Sequence, residues 1–479
     1  KMGIIQRKDK ITESVSADKL FVPKSDTFSQ DPPKSIKAEQ MQYPPKKITA
    51  PYVKVGIMSA PVIQFRFVGE FRCLETGGAC SESNSATFEN GKIRFDNQLF
   101  DQLSFVPVDE KTALFELVDV TIGVDFHWER KENQQFQGAL NLIVENGKLT
   151  AVNRLLIEDY LYSVIASEMS AKASLELLKA HAIISRSWLL APMLNSNVTQ
   201  GVAVNETRTA NEVIKWYERD AHENFDVCAD DHCQRYQGVS RISTPLVREA
   251  IDATRGEVLT YGGEICDARF SKSCGGVAEL FENCWAPVHH DYLTAVIDNP
   301  QVPEIYADLT VEENADRWIR TAPEAFCNTT DKEILEQVLN NYDQETTDFY
   351  RWKVQYTQAE LSALVKKRSG IDFGTITNLV PVERGTSGRL TKLKIVGTLK
   401  TLTVGKELEI RKWLSESHLY SSAFVIDRTA DGDFILTGAG WGHGVGLCQI
   451  GAAVMGAKGY KYDEILLHYF RGSSIEKRY

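Results

Sequence analysis

The stretch ALNLIVENGKLTAVNRLLIEDYLYSVIASEM, residues 139–169, changes from a strand pattern to a helix pattern within one run of sequence. Alternating apolar residues flank Asn146-Gly147, a dipeptide that favours the two-residue turn of a β-hairpin. Beyond residue 157 apolar residues recur at helical spacing, namely Leu161, Val164, Ile165 and Met169. We therefore predict a hairpin that leads into a helix, and an α+β fold with strands and helices in separate blocks.

The first 153 residues divide into a polar segment and a strand-rich segment. Residues 1–50 carry lysines and prolines with almost no aromatic residues, a composition that cannot bury enough apolar surface to fold, and we predict a disordered polar tether. Residues 51–153 contain short apolar runs and a second hairpin signal, Asn90-Gly91, and are predicted to form a β-rich N-terminal domain. Cys73 and Cys80 bracket a short loop that a disulfide would close.

The remaining residues are predicted to mix helices with strands. Residues 154–300 contain two helices, the second of which Pro192 is expected to stop, and then a loop rich in metal-ligating residue types. Residues 301–350 are helical and acidic and are predicted to be an insertion. Residues 351–479 alternate a short helix with strands and are expected to complete a cleft.

Composition excludes some classes of function. Lys and Arg number 54 against 65 Asp and Glu in 479 residues, a net charge of -11, which argues against nucleic acid as a partner. No apolar run reaches the roughly 20 residues that a membrane helix needs, so we expect no transmembrane segment. Nine cysteines fit either a few disulfides or a metal site.

Glu168 is the strongest candidate for acid chemistry. A helix brings it to the edge of the apolar face formed by Leu161, Val164 and Ile165. A carboxyl group held against apolar surface has its charged form disfavoured, which favours proton donation near neutral pH and suits a general acid for glycosidic bonds. The alternative is a structural role, either a salt bridge to Lys172 or a cap on the next helix.

The segment HENFDVCADDHCQRY contains a candidate metal site. It supplies two imidazoles and two thiols, from His222, Cys228, His232 and Cys233. These donors suit zinc better than calcium or magnesium, and a closed set of protein ligands would make the zinc structural. Two alternatives are a Cys228–Cys233 disulfide with both histidines on the surface, and a hydrated acidic loop.

A glycine-rich loop, GWGHGVG at residues 440–446, lies near the C-terminus. Its glycines would let the backbone approach a ligand closely, while Trp441 and His443 project from the loop. This pattern indicates one wall of a binding cleft. The alternative is a tight turn whose tryptophan fills the core.

Five motifs follow one another from about residue 156 to the C-terminus: EDYLYSVIASEM, LLKAHAIISRSW, FSKSCGG, SGRLTKLKIVG, and GWGHGVGLCQIGA with ILLHYFRG. Together they resemble the stage II sporulation protein D family (SpoIID/LytB), and the strand VKVGIM extends the resemblance back to about residue 53. The sequence departs from the usual motifs at His181, which is commonly glutamine, at Lys272 and Cys274, and at Cys448 beside Gln449. Cys274 and Cys448 could form a disulfide or alter the shape of the cleft.

The resemblance implies an exported peptidoglycan-remodelling enzyme of the cell envelope. It implies a lytic transglycosylase that cleaves glycan strands between N-acetylmuramic acid and N-acetylglucosamine, on strands stripped of stem peptides, with closure of a 1,6-anhydro ring. The family's catalytic glutamate corresponds to Glu168. Some members of the family carry a zinc ion held by two histidines and two cysteines, which His222, Cys228, His232 and Cys233 resemble. The alternative is a non-catalytic, glycan-binding enhancer of a cell-wall amidase.

A positively charged, sugar-like transition state needs neutral polar groups to stabilise it, and an aromatic ring would stack on a sugar. On this basis the residues expected to contact the glycan are Tyr160, Ser273, Gly275, Gly276, Trp441, His443 and Gln449. Arg186 is expected either to position carboxyl groups of the substrate or to be merely solvated.

Overall fold

The computed structural model describes residues 49–122, 129–195, 205–217, 222–230, 233–240, 244–339 and 346–479. The described residues belong to one compact unit. The tether predicted for residues 1–50 lies outside them except for its last two residues. Strands and helices are both abundant, which confirms the α+β class. No helix among the described residues is long and apolar enough to cross a membrane.

Strands dominate the described chain before the first helix, as predicted. They are β1 (Tyr52–Ala60), β2 (Val62–Val68), β3 (Phe71–Cys73), β4 (Ser83–Glu89), β5 (Lys92–Phe95), β6 (Gln98–Phe100), β7 (Leu103–Pro107), β8 (Leu114–Ile122), β9 (Arg130–Gln137), β10 (Ala139–Glu145) and β11 (Lys148–Leu156). One sheet contains β1, β11, β10, β7 and β3 in that order, and the other contains β6, β5, β4, β2, β8 and β9.

Both Asn-Gly dipeptides form the hairpin turns that the sequence predicts. Backbone φ is 50° and 80° at Asn90-Gly91, and 50° and 71° at Asn146-Gly147. Positive φ at both central residues is the requirement of the type I′ turn, which asparagine and glycine tolerate best. β4 pairs antiparallel with β5 across the first turn, and β10 pairs with β11 across the second.

Phenylalanine side chains fill the interior of this strand-rich region. Phe67 stacks on Phe71 with ring centroids 4.3 Å apart, and Phe65 lies 5.1 Å from Phe105. Each ring is almost completely buried, and burying such a side chain contributes about 1.5–3 kcal/mol. The inward side of the alternating strand pattern therefore anchors the two sheets.

Two helices follow the strand-rich region, α1 (Ile157–Glu168) and α2 (Leu175–Leu194). The side chain of Ser174 caps α2 by accepting the Leu177 N–H at 3.3 Å. The prediction that Pro192 stops α2 is wrong by two residues, because the helix includes Pro192 and ends at Leu194. A proline in the last turn removes one N–H donor but leaves the earlier backbone hydrogen bonds intact, and Asn195 N–H still donates to the Ala191 carbonyl at 3.1 Å.

The middle of the chain alternates short strands with helices. These elements are β12 (Glu206–Arg208), β13 (Glu212–Lys215), β14 (Val227–Cys228), α3 (Pro245–Ala253), β15 (Glu257–Tyr261), β16 (Glu264–Ile265), β17 (Phe270–Ser271), α4 (Glu312–Thr321) and α5 (Lys332–Val338), with single 3-10 turns at Gly238–Ser240 and Phe281–Asn283. The helices α4 and α5 lie where the acidic helical segment is predicted.

The C-terminal part is also mixed. It contains β18 (Arg351–Tyr356), α6 (Gln358–Ser369), β19 (Ile376–Arg384), β20 (Leu390–Gly397), β21 (Thr401–Gly405), α7 (Glu407–Trp413), β22 (Phe424–Arg428), β23 (Phe434–Ala439), β24 (Leu447–Cys448), α8 (Gln449–Ala457), α9 (Tyr462–Tyr469) and β25 (Ser474–Lys477).

Distant parts of the sequence share sheets. β14 lies parallel to β1 at the edge of the first sheet, β13 lies parallel to β21, and β17 pairs with β24. β15 lies between β16 and β25, and β23 lies between β18 and β22. These pairings bring the predicted motifs together across the compact unit, while the predicted domain boundaries at residues 153, 300 and 350 stay a prediction.

Candidate functional site

Glu168 is the last residue of α1 and is half-buried. Its Oε1 accepts the backbone N–H of Arg235 at 3.3 Å. Lys172, the alternative salt-bridge partner predicted from the helix spacing, forms an ion pair with Glu336. The carboxyl group thus lies at a helix end and is oriented by a backbone donor from another segment.

That backbone donor belongs to the predicted metal loop. His222 Nε2 lies 3.5 Å from Cys233 Sγ, and the Cys228 N–H donates to the same sulfur at 3.5 Å. The ligand atoms of His222, Cys228 and Cys233 all lie within 4.8 Å of one another. Cys228 and Cys233 are thiols and form no disulfide. The structure thus brings three of the four predicted donors together, and His232 lies outside the described residues.

Aromatic packing positions the imidazole of this loop. The His222 ring stacks on Phe225 with centroids 4.6 Å apart. Phe225 in turn lies over Gly56 of β1, where an added Cβ would meet the phenyl ring at 2.6 Å. β1 therefore needs glycine at this position so that the loop can pack closely against it.

A small, solvent-open depression borders the metal loop. It is lined by Ile57, Val120, Thr121, Ile122, Gln134, Ala229, Asp230, Arg235, Tyr236 and Gln237. Arg235 therefore lines the depression while its backbone N–H contacts Glu168.

Tyr160 lies beneath this loop and not on an open surface. Its ring is fully buried and stacks on Tyr236, with centroids 5.1 Å apart. The hydroxyl donates to Gln234 Oε1 at 3.2 Å, and Gln234 Nε2 donates to the Ser185 carbonyl at 3.2 Å. Burial raises the pKa of Tyr160 well above its usual value. In this structure Tyr160 supports the segment beside Arg235.

Helix α5 connects the Glu168 end of α1 with the motif loop that follows β17. The Ser170 N–H donates to the Gln337 carbonyl at 3.1 Å, and the Lys272 ammonium donates to the carbonyl of the next residue, Val338. The Lys272 carbonyl accepts the Ile450 N–H at 3.1 Å. Part of the predicted insertion at 301–350 therefore holds two of the motifs in place.

The glycines of the 440–446 loop pack against protein atoms. Backbone φ is 77°, 94°, 79° and 75° at Gly440, Gly442, Gly444 and Gly446. A Cβ on Gly444 would meet Arg389 Cζ at 2.5 Å, and one on Gly446 would meet a backbone carbonyl oxygen at 2.1 Å. Close packing of the interior already requires these glycines, and the expectation that they also admit a ligand stays a prediction.

Arg389 is the centre of this packing. Its guanidinium is fully buried and donates to the carbonyls of Gly442 at 2.9 Å, Cys274 at 2.9 Å and Ser273 at 3.3 Å. It therefore joins the loop after β17 to the glycine-rich loop. Arg389 was not predicted from the sequence to be a site residue. Its position within the motif SGRLTKLKIVG is the sequence signal that could have identified it.

Trp441 and Tyr420 form a half-exposed aromatic pair, which we call the aromatic platform. Their ring centroids are 4.2 Å apart, and buried Phe349 supports Trp441 from 4.5 Å. His443 is also half-buried, lies 4.8 Å from Trp285, and accepts a backbone N–H at Nδ1. Of the predicted glycan contacts, Trp441 and His443 are those that retain exposed surface.

Ser273, Gly275 and Gly276 shape the loop from within. Ser273 is fully buried, and its carbonyl accepts the Trp441 N–H at 2.8 Å. A Cβ on Gly275 would meet a backbone nitrogen at 2.9 Å, and one on Gly276 would meet Trp318 at 2.7 Å. These residues hold the aromatic platform in position, and their side-chain positions face protein atoms.

Gln449 pairs with the unusual His181. Gln449 is buried at the start of α8, and its Nε2 lies 3.0 Å from His181 Nε2. The other imidazole nitrogen lies 3.2 Å from Ser185 Oγ. Burial, with repulsion from Lys272, lowers the pKa of His181 to about 3. A neutral imidazole therefore connects α2 to α8.

Arg186 lies away from any open surface. Its guanidinium is fully buried in a two-pronged ion pair with Glu158, at 3.0 Å and 2.8 Å, and it also donates to the Glu257 carbonyl at 3.0 Å. The structure therefore gives Arg186 a place in the core between α1, α2 and β15.

The cysteines are thiols, so the disulfide expected between Cys73 and Cys80 is absent. Cys274 and Cys448 form no disulfide, although the Cys274 N–H donates to Cys448 Sγ at 3.3 Å. Opposing its burial, hydrogen bonds from Cys274 and Cys327 lower the pKa of Cys448 to about 6.

Two residues of the site carry no local sequence signal. Arg235 acts through its backbone N–H, which any residue except proline supplies. Phe349 lies in a segment without a recognised motif and reaches Trp441 only through the tertiary fold.

Comparisons with known proteins find matches along much of the chain. Residues 145–261 match the family model of the stage II sporulation protein, SpoIID, and residues 279–446 match a domain of unknown function, DUF8618. An uncharacterized protein of Brachyspira hyodysenteriae is 28% identical over 397 residues, which cover 82% of this chain and 84% of that protein.

Two relatives from Bacillus subtilis have functional names. Stage II sporulation protein D is 22% identical over 332 residues, 68% of this chain and 76% of that protein. The amidase enhancer is 25% identical over 332 residues, 66% of this chain but 40% of that protein. With the SpoIID domain match over residues 145–261, which include α1 and α2, these similarities support the resemblance to the SpoIID family.

Proposed function

We propose that this protein is an exported lytic transglycosylase that cleaves peptidoglycan glycan strands between N-acetylmuramic acid and N-acetylglucosamine. The observation that carries the proposal is the half-buried carboxyl group of Glu168 at the end of α1, oriented by the Arg235 N–H at 3.3 Å. Similarity to stage II sporulation protein D supports the same assignment.

One carboxyl group can perform both proton transfers of this reaction. Protonated Glu168 donates its proton to the glycosidic oxygen as the bond to the muramic sugar breaks. The resulting carboxylate then removes the proton from the 6-hydroxyl of that sugar, whose oxygen closes the 1,6-anhydro ring. Glu168 is thereby returned to its protonated form, and no water is consumed. Ordinary glycosidases instead use two carboxyl groups about 5–9.5 Å apart.

The aromatic platform is proposed to bind a sugar ring. Trp441 and Tyr420 are half-exposed. An aromatic ring offers a sugar a flat apolar surface, and its side chain loses little conformational entropy when the sugar binds. His443, next along the loop, is proposed to donate or accept a hydrogen bond with a sugar hydroxyl. Ser273 then acts by holding this loop, and Gln449 by joining α8 to α2 through His181.

The predicted zinc site is proposed to be structural. The convergent donors His222, Cys228 and Cys233, with His232, form the two-nitrogen, two-sulfur set that zinc prefers. Zinc bound to four protein ligands supplies a cross-link and no reactive position. Held in this way, the loop would keep Gln234 and Arg235 against Tyr160 and Glu168.

The test is a digest of peptide-free glycan strands analysed by mass spectrometry. The wild-type protein should leave 1,6-anhydro-muramic ends, and Glu168→Gln should leave none, because the amide cannot donate and recover the proton. Glu416→Gln, at an exposed surface ion pair, is the matched control and should retain activity. Anhydro ends from Glu168→Gln at the wild-type rate would contradict the assigned role.

A second candidate function is binding of the glycan with stimulation of a cell-wall amidase. Similarity to the amidase enhancer favours it, as does the burial of Tyr160, Arg186 and Gln449, which leaves fewer polar groups exposed for catalysis. This function predicts glycan binding without anhydro ends, and faster release of stem peptides when the protein is added to an amidase.

A further inference from the structure

A second group of metal-ligating side chains lies behind the aromatic platform. It consists of Cys274, Asp298, Cys327 and Cys448, each of them almost completely buried. The four residues come from separate segments, and 174 positions separate Cys274 from Cys448. Only the tertiary fold brings them together. None of them belongs to the donor set around His222.

The distances among these donors suit one metal ion. Cys274 Sγ lies 3.8 Å from Cys327 Sγ, and the four donor atoms all lie within 4.8 Å of one another. Zinc–sulfur bonds of about 2.3 Å at the tetrahedral angle place two sulfur atoms about 3.8 Å apart. The observed separation therefore matches the one expected for two thiolates on one zinc ion.

The surrounding hydrogen bonds hold the donors in place. The Cys274 N–H donates to Cys448 Sγ at 3.3 Å, and the Cys327 N–H donates to Asp298 Oδ2 at 3.0 Å. The Tyr469 hydroxyl donates to Asp298 Oδ1 at 2.6 Å. Such outer contacts orient metal ligands and stabilise their charged forms.

A glycine in α8 leaves room for the Asp298 carboxylate. Gly451 in α8 faces it, and an added Cβ would lie 2.6 Å from Asp298 Oδ2 and 2.2 Å from the Tyr469 hydroxyl oxygen. A buried carboxylate requires a compensating positive charge. His468 Nε2 lies 3.7 Å from Asp298 Oδ1 and is an ion-pair partner only when its imidazole is protonated. Arg351 donates instead to backbone carbonyls, among them those of Gly275 and Trp318. A bound cation would supply the missing compensation.

We infer that Cys274, Asp298, Cys327 and Cys448 bind one zinc ion, which fixes the loops behind the aromatic platform. Three sulfur donors favour a soft or borderline ion over magnesium or calcium, and zinc accepts the carboxylate as a fourth ligand. A disulfide would use two of the thiols and would supply no positive charge for the buried Asp298 carboxylate. Because Cys274 follows Ser273 and Cys448 precedes Gln449, the ion would steady both motif loops.

The test of this inference does not depend on glycan cleavage, because the zinc content of the protein is measured directly. The full chain is incubated with zinc under reducing conditions, desalted and analysed for zinc by mass spectrometry. In Cys228→Ser/Cys233→Ser, which lacks the sulfur donors of the first site, about one zinc ion per chain should remain. X-ray absorption should show it bound mainly by sulfur. A folded variant that retains no zinc would overturn the inference.

Variants of the second site give the reciprocal test. Cys274→Ser in the otherwise wild-type chain should lower the zinc content by about one ion per chain, and this test stands even if the double variant does not fold. Cys266→Ser, at a buried cysteine outside both groups, is the matched control and should leave the content unchanged. Unchanged zinc in Cys274→Ser, or a Cys274–Cys327 disulfide in the zinc-treated chain, would refute the site.

Discussion

Replacing His181 with glutamine should change how the stability of the protein depends on pH. His181 is fully buried, its Nε2 lies 3.0 Å from Gln449, and its pKa is lowered to about 3 mainly by burial. Glutamine has a similar reach and can still hydrogen-bond to Gln449. It cannot bind a proton in this pH range. The variant should therefore fold normally at neutral pH.

The magnitude follows from proton linkage. A histidine in the unfolded chain has a pKa of about 6.5, whereas His181 in the folded chain titrates only near pH 3. Between these values the unfolded state binds the proton and the folded state does not, so stability falls as the pH is lowered through 6.5. From pH 7 to pH 5 this single group should cost the wild-type protein about 2 kcal/mol. The glutamine variant avoids that loss.

The assay is urea unfolding of both proteins at pH 7, 6 and 5. Comparing them at each pH cancels other groups, such as Asp298, whose pKa is raised to about 6 by burial and whose contribution has the opposite sign. His289→Gln is the control, because the pKa of this exposed histidine is raised by Glu282 and its loss should give no gain at pH 5. A stability difference between His181→Gln and wild type that stays constant from pH 7 to pH 5 would refute the reasoning.

Three further predictions concern packing and binding. Glu158→Gln leaves Arg186 buried without its charge partner and should lower the free energy of unfolding by about 3–5 kcal/mol in urea titrations, whereas Glu416→Gln at the surface should cost about 1 kcal/mol or less. Gly451→Ala brings a Cβ to 2.2 and 2.6 Å from two buried oxygens and should cost about 1–3 kcal/mol in the same assay; a cost near zero would contradict the packing. Trp441→Ala should weaken binding of peptide-free glycan about three- to tenfold in calorimetry, whereas Trp441→Phe should retain most of the affinity. Equal affinity of the two variants for the glycan would exclude the aromatic platform as a glycan contact.

The sequence alone determined the features that depend on neighbours in the chain. The Asn-Gly hairpins could be predicted because a two-residue turn with positive φ has few compatible residues. Helix α1 could be predicted because one face of a helix repeats every three to four residues, and that pattern placed Glu168 at the edge of the apolar face. The order of the motifs indicated the resemblance to the SpoIID family.

Only the tertiary structure decided which side chains are buried and which distant segments meet. The local sequence around Arg186 is compatible with a solvated or a buried side chain. Glu158 on the neighbouring helix decides between them, because it holds Arg186 in a buried ion pair. The sequence of the 440–446 loop does not show that its glycines pack against protein atoms, because Arg389, which lies beside Gly440 and Gly444, comes from another segment. Cys327 and Asp298 join Cys274 and Cys448 for the same reason. Periodicity records the demands of the local backbone, whereas burial and convergence depend on contacts between residues that the sequence leaves far apart.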